Sequence, residues 1–220
     1  MSIYQYQSGS WVEIDDLKCY RDGAWQSAEL RRYNAGEWDL IWPSHYTDTK
    51  QYPLSSYIVL KGKTTPKQLD KDTLVVGTSN TASSSYVHDT LMFFPTASMA
   101  ADLAGNSVLK ASLKLRRMPK QYNDGETVAN INVGYALSGA DPSVSGNTWP
   151  RQYTLLTSPE LQFLHGQTQD IEISAEAVTA LLDGTADCLC LPTVPRYTYS
   201  SKGYCLLDPA ATVLTVTYYH

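Results

Sequence analysis

Four histidines are the natural place to look for acid–base or metal chemistry, and their spacing supports neither. His45, His88, His165 and His220 stand far apart, with no H-E-x-x-H or H-x-H pair to hold a metal. His88 is followed by Asp89. Neighbours in a strand point to opposite faces, so the two read as one exposed and one satisfied polar residue rather than a catalytic couple. Ser83, Ser84 and Ser85 form a run without the G-x-S-x-G elbow of a hydrolase. Glycoside hydrolysis needs two carboxyl groups facing each other across a cleft, and nothing in the spacing pairs any two of Glu126, Glu160, Glu172 and Glu176. Asn123-Asp124-Gly125-Glu126 has the form of a calcium-loop fragment, but it lacks the remaining ligands and is first of all a good turn. Cys19, Cys188, Cys190 and Cys205 include no C-x-x-C pair. Cys188 and Cys190, two apart, would share one strand face as small buried hydrophobes. The chain is therefore expected to be a non-enzyme with no catalytic residue, metal or cofactor.

The chemistry that remains is recognition. Sixteen Tyr and five Trp stand against three Phe, and Tyr and Trp combine apolar area with a polar handle, which suits wet interfaces and sugar faces. One polar segment carries Arg196, Tyr197, Tyr199 and Tyr204 among serines and Lys202. A second carries Trp149, Arg151 and Tyr153. Exposed rings there would stack on saccharide rings while Arg or Asn bonds the hydroxyls; alternatively Trp149 and Tyr153 pin a long loop to a sheet. The net charge of −5, with Lys and Arg scattered, argues against a nucleic-acid partner. No stretch has the length of a membrane span. The first residues lack the basic region and apolar core of a secretory signal.

Positioning such residues falls to a β framework with an internal repeat at its start. Tyr6-x-x-Gly9-x-Trp11 is followed by Tyr20-x-x-Gly23-x-Trp25 and Tyr33-x-x-Gly36-x-Trp38. Each unit reads as a tight hairpin, with glycine supplying the turn and Tyr and Trp placed to pair across it. A unit of this size cannot bury itself, so the three must stack on one another or on neighbouring copies. The repeat is thus a packing and assembly device over residues 1–43. The polar, proline-bracketed residues 44–53 read as a linker.

Residues 54–220 read as a β-sandwich of jelly-roll type with two short helices, which makes the chain all-β. Strands are expected at Tyr57–Lys61, Leu74–Val76 (ending at Gly77), Tyr86–Phe94, Val108–Met118, Val128–Leu137, Gln169–Ile173, Asp187–Leu191, Tyr204–Leu207 and Thr212–Tyr219. Alternation turns Leu109, Ala111, Leu113 and Leu115 inward, and likewise Ala129, Ile131, Val133, Tyr135 and Leu137, with Asn130 and Asn132 outward. A helix over Ala97–Leu103 would be capped by Thr96 or Ser98. A second runs from an N-cap at Ser174 to Gly184.

The segment YRDGAWQSAELRRYNAGEWDLIWP resembles the Gly-x-Trp repeats of tail and baseplate proteins of tailed bacteriophages, especially those of Gram-positive hosts. SVLKASLKLRRM, ETVANINVGYAL, QDIEISAEAVTALLDGTADCLCL and DPAATVLTVTYY are similar in pattern to the carbohydrate-binding-type jelly-roll domain often attached to them. The resemblance implies a phage or prophage virion component, assembled in the host cytoplasm and often trimeric. It would contact other tail proteins and host cell-wall or surface polysaccharide. Two other readings stay open: a purely structural decoration or spacer, and a surface-polysaccharide depolymerase or esterase.

Overall fold

Each Tyr-x-x-Gly-x-Trp unit folds as an antiparallel hairpin closed by two residues. Strands β1 (Tyr4–Gln7) and β2 (Ser10–Glu13) pair Tyr6 with Trp11. Strands β3 (Lys18–Arg21) and β4 (Ala24–Ser27) pair Tyr20 with Trp25. Strands β5 (Leu30–Asn34) and β6 (Glu37–Trp42) pair Tyr33 with Trp38. The common register follows from the two-residue connection, which fixes pairing in a hairpin. Among the described residues each hairpin is a sheet of two strands, with no ladder joining one to the next.

The computed structural model describes residues 4–7, 10–13, 18–21, 24–27, 30–34, 37–42, 47–61, 67–69, 71–81, 84–120, 128–137, 153–157, 160–193 and 205–219. Side chains are described from Thr47 onward, apart from 67, 69 and 78–86. The chain divides into two compact units, Met1–Asp48 with Tyr219–His220, and Thr49–Tyr218.

The second unit contains β7 (Thr47–Pro53, from Thr49), β8 (Ser56–Lys61), β9 (Lys67–Leu69), β10 (Leu74–Thr81), β11 (Ser84–Phe93), α1 (Thr96–Asp102) and β12 (Ser107–Arg116). After these come β13 (Val128–Ile131), β14 (Gly134–Ala136), β15 (Thr154–Leu155), β16 (Leu161–Leu164) and β17 (Thr168–Ile173). The unit closes with α2 (Ala175–Asp183), β18 (Cys188–Leu191), β19 (Cys205–Leu207) and β20 (Val213–Tyr219). The larger sheet runs β15-β14-β18-β11-β10-β19, with β8 on the other edge of β11 and β9 beyond it. The smaller runs β17-β12-β20-β7, and β13 pairs with β16. The fold is all-β with two short α-helices among the described residues.

One core lies between the two sheets. Leu74, Val76, Met92, Leu189 and Leu191 come from the larger sheet, and Leu113, Leu115, Ile171, Ile173, Leu214 and Val216 from the smaller. Each such side chain contributes about 1.5–3 kcal/mol on burial. Helix α2 covers one end with Ala177, Val178, Ala180 and Leu181, the spacing of one helical face. The Ser174 side chain accepts the Ala177 N–H, and Gly184 ends the helix at φ +79°, as the sequence predicts. A second cluster lies on the opposite face of the larger sheet: Ile58, Leu60, Leu91, Ala136, Cys188 and Cys190. That sheet is buried on both faces, which is why its strands read as apolar runs rather than alternating ones.

Several expectations need correction. The linker over 44–53 gives way at Thr47 to β7, an edge strand beside β20, with Tyr52 buried and its neighbours exposed. An edge strand with one wet face and one free edge carries the polar composition of a linker. β10 continues through Gly77 to Thr81. The strand expected over 128–137 is two, because Val133 turns aside to bond Leu156 N–H through its carbonyl and Thr157 Oγ1 through its N–H. Leu109 and Leu137, expected inward, are exposed. Leu109 precedes the part of β12 that pairs with β17, which starts at Ala111, and Leu137 lies beyond the end of β14. Helix α1 has Pro95 at its N-cap and no side-chain cap.

Candidate functional site

The edge of β11 changes partner in mid-strand. Up to His88 it pairs with β10, the last pair being Gly77 with His88. From Thr90 on it pairs with β18, starting at Leu191. β10 leaves at Gly77, where φ is +99°, a backbone conformation that favours glycine. Its residues Leu74–Val76 then pair with β19. A sheet that splits in its interior leaves main-chain groups to satisfy, and each buried orphan costs about 1–3 kcal/mol.

Three side chains at the split take up those groups. Thr90 Oγ1 accepts the Val75 N–H at 3.0 Å and donates to the Val75 carbonyl at 2.7 Å, replacing the ladder that β10 has left. Thr193 Oγ1 accepts the Gly77 N–H at 2.9 Å and donates to the His88 carbonyl at 2.6 Å. The Asp89 carboxylate, fully buried, accepts the Thr193 N–H at 2.6 Å. The Cys190 thiol is pushed above its ordinary range, first by burial and then by the negative charge of Asp89. It is therefore held protonated and unreactive.

This cluster roots the segment the sequence marks for recognition. Thr193 is the last described residue before 194–204, and Cys205 is the first after it. Thr193 is bonded to Gly77, and Cys205 pairs with Val76. Both ends of the segment are thus fixed on adjacent residues of β10. Arg196, Tyr197, Tyr199 and Tyr204 themselves lie outside the described residues.

The second aromatic segment leaves from the other end of β18. Ala136 pairs with Cys188 and Gly134 with Cys190, so residues 138–152 depart beyond the Cys188 end. The chain returns at β15, where Leu155 pairs with Gly134. Gly134 allows this close return: a Cβ there would stand 2.6 Å from the Thr154 carbonyl oxygen. Tyr153 is half-buried against the second cluster, so its ring packs the sheet. Trp149 lies outside the described residues, as do His45, His220, the side chains of Tyr6, Trp11, Tyr20, Trp25, Tyr33 and Trp38, and the turn Asn123–Glu126.

The remaining candidates for chemistry separate. His88 and Asp89 are both buried, where one was expected exposed, because the split sheet encloses both. His165 Nε2 stands 3.4 Å from Arg117 Nη2, while Nη1 of that fully buried arginine donates to the Phe163 carbonyl at 2.7 Å. Arginine only donates, so His165 Nε2 is an acceptor there. Glu172 and Glu176 are exposed. Glu160 Oε1 accepts from Asn132 Nδ2 at 3.3 Å. Cys188 and Cys190 share one buried face, as their spacing predicts. Among the described residues no three His, Cys, Asp or Glu gather as metal ligands, and no helix is long and apolar enough to cross a membrane. Sequence reasoning missed Asp89 and Thr193 as a unit: they lie 104 positions apart, and only the exchange of partners along β11 joins them. Compared with known proteins, the chain matches no family model and no curated sequence.

Proposed function

We propose that this protein is a component of a phage tail or baseplate that binds host cell-surface glycan through its sandwich, with the N-terminal hairpins serving attachment or homo-oligomerisation. One observation carries the glycan reading. Polar side chains at the split tie Thr193, ahead of residues 194–204, to Gly77 and Asp89, and the strand ladder pairs Cys205, after them, with Val76. That segment holds Arg196, Tyr197, Tyr199 and Tyr204. A rigid root lowers the ordering cost of binding, and tyrosines with an arginine suit saccharide rings and hydroxyls. The hairpin register supports the assembly reading, because a lone two-stranded sheet is marginal in water and gains from packing on copies of itself. Affinity per site would be weak, and several copies would raise it by avidity.

The test is binding to a glycan array and to host envelope fractions, with mass by light scattering. Binding that falls in the Tyr197→Ala, Tyr199→Ala double variant supports the reading. A strict monomer that binds no envelope fraction sinks it. The half-buried Tyr153 favours the rival reading of a structural spacer, which the double variant decides by adsorbing normally.

A further inference from the structure

Strand β7 ends the smaller sheet, and its open edge carries a definite set of donors and acceptors. The Leu54 N–H bonds the Thr212 carbonyl at 3.1 Å, and Thr49 Oγ1 lies 2.9 Å from Thr217 Oγ1. Both contacts fit one antiparallel register with β20, in which Thr49 stands opposite Thr217. Along such a strand, residues that bond the neighbour alternate with residues that do not. Leu54 turns its main chain toward β20, so Tyr52, Lys50 and Asp48 do as well. Thr47, Thr49 and Gln51 therefore turn their N–H and C=O groups to the open edge. The short Thr49–Thr217 contact agrees, because side chains stand closest in the pairs whose main chains do not bond each other. Pro53, next in that series, has no N–H and closes the edge.

Every residue of β7 except Tyr52 is exposed. Such an edge templates another strand unless charge or proline prevents it, and here the charges select which strand. Asp48 and Lys50 flank Thr49. Lys50 Nζ is held 3.3 Å from Asp102 Oδ1, yet its side chain is 47% exposed and open to a second carboxylate. When a second β7 runs antiparallel with Thr49 facing its own copy, Asp48 lies opposite Lys50 of the second copy, and Lys50 opposite its Asp48. Thr47 then pairs with Gln51 of the second copy. About six main-chain hydrogen bonds form, and they take up every outward group ahead of Pro53. Centring the pair one residue earlier or later sets Asp48 against Asp48 or Lys50 against Lys50, which is destabilising. Centring it on Gln51 sets Thr49 against Pro53, which lacks the donor.

We propose that β7 pairs antiparallel with β7 of a second copy of this chain, about a two-fold axis at Thr49, joining two smaller sheets edge to edge. A ladder this short buries far less than the roughly 1,200 Å² of a stable interface. The inference therefore rests on the homo-oligomer reading: the contact proposed for the hairpins holds the copies together, and β7 sets their register.

The experiment is cysteine cross-linking of the full chain. Residues of a hydrogen-bonded cross-strand pair have Cα atoms about 5.5 Å apart, within reach of a disulfide. Thr49→Cys should give a covalent dimer on non-reducing gels after mild oxidation. Gln51→Cys should not, because the two copies of that position lie roughly 14 Å apart. The wild type supplies the background from Cys19. Adding Asp48→Lys to Thr49→Cys should cut the cross-linked fraction several-fold. Adding Glu172→Lys instead, the same change of charge on β17, should leave it as it was. Asp48, Thr49 and Gln51 are exposed, so their variants keep the fold. A wild type that self-associates by light scattering while Thr49→Cys cross-links no better than Gln51→Cys overturns the β7 contact and leaves the hairpin contact standing. A wild type with the mass of one chain overturns both.

Discussion

Asp89 Oδ1 accepts the main-chain N–H of Thr193 at 2.6 Å, and so a carboxylate in mid-sheet holds the residue from which the aromatic segment departs. The bond exists because β11 exchanges β10 for β18 at that point. Removing the acceptor leaves a buried donor unsatisfied. Asp89→Ala should lower stability to urea by about 1–3 kcal/mol. Asp89→Asn, which keeps an acceptor oxygen, should lose less. Equal losses in the two variants would show that the charge, not the bond to Thr193, is what matters.

Tyr52 gives an alkaline signature. Its hydroxyl donates to Asp102 Oδ2 at 3.2 Å, while Lys50 Nζ approaches Oδ1 at 3.3 Å. Burial first, then the hydrogen bond and charge of Asp102, raise its pKa above the ordinary tyrosine range. A raised folded-state pKa adds stability that is fully present below the unfolded value of about 10. That stability is lost as pH rises through the folded value. The wild type should therefore lose stability relative to Tyr52→Phe as pH climbs past about 10. Below that pH, Tyr52→Phe should be the weaker by about 0.5–1.5 kcal/mol. Denaturant unfolding of both from pH 8 upward measures this; a constant difference would exclude Tyr52 as the titrating group.

Gly134 is a packing requirement. With an alanine there, the Cβ meets a backbone oxygen at 2.6 Å and the Cys190 Sγ at 3.4 Å, neither on a flexible arm. Gly134→Ala should cost about 1–3 kcal/mol and loosen β15 from β14. Gly105→Ala meets nothing within 4 Å but sits at φ +77°, and should cost about 1 kcal/mol from backbone strain alone. Thermal unfolding of the two variants separates crowding from strain.

The assembly role proposed for the hairpins has its own test. Trp11, Trp25 and Trp38 occupy one register position in three hairpins. The triple Trp→Ala variant should lower the mass seen by light scattering toward that of one chain and leave the unfolding of the sandwich unchanged. An oligomer that survives the change would move the self-contact elsewhere.

How much of this was written in the order of residues depends on how local the determinant is. A turn length sets a hairpin register, so Tyr6–Trp11, Tyr20–Trp25 and Tyr33–Trp38 could be paired before any fold was known. The same holds for Ser174 and Gly184, whose chemistry caps the helix they flank. Alternation marked Leu113 and Leu115 as core because one-sided burial recurs every second residue. It failed at Leu109, which lies ahead of the β12–β17 ladder, and at Leu137, beyond the end of β14, where the pattern goes on. The sequence by itself thus determined the hairpins and the all-β class. Tertiary structure alone decided that residues 47–53 are an edge strand, that Asp89 is buried against Thr193, and that Val133 divides the strand expected over 128–137. Each of these depends on which distant strand lies alongside, and strand neighbours are chosen by the packing of the whole core rather than by any short stretch of chain.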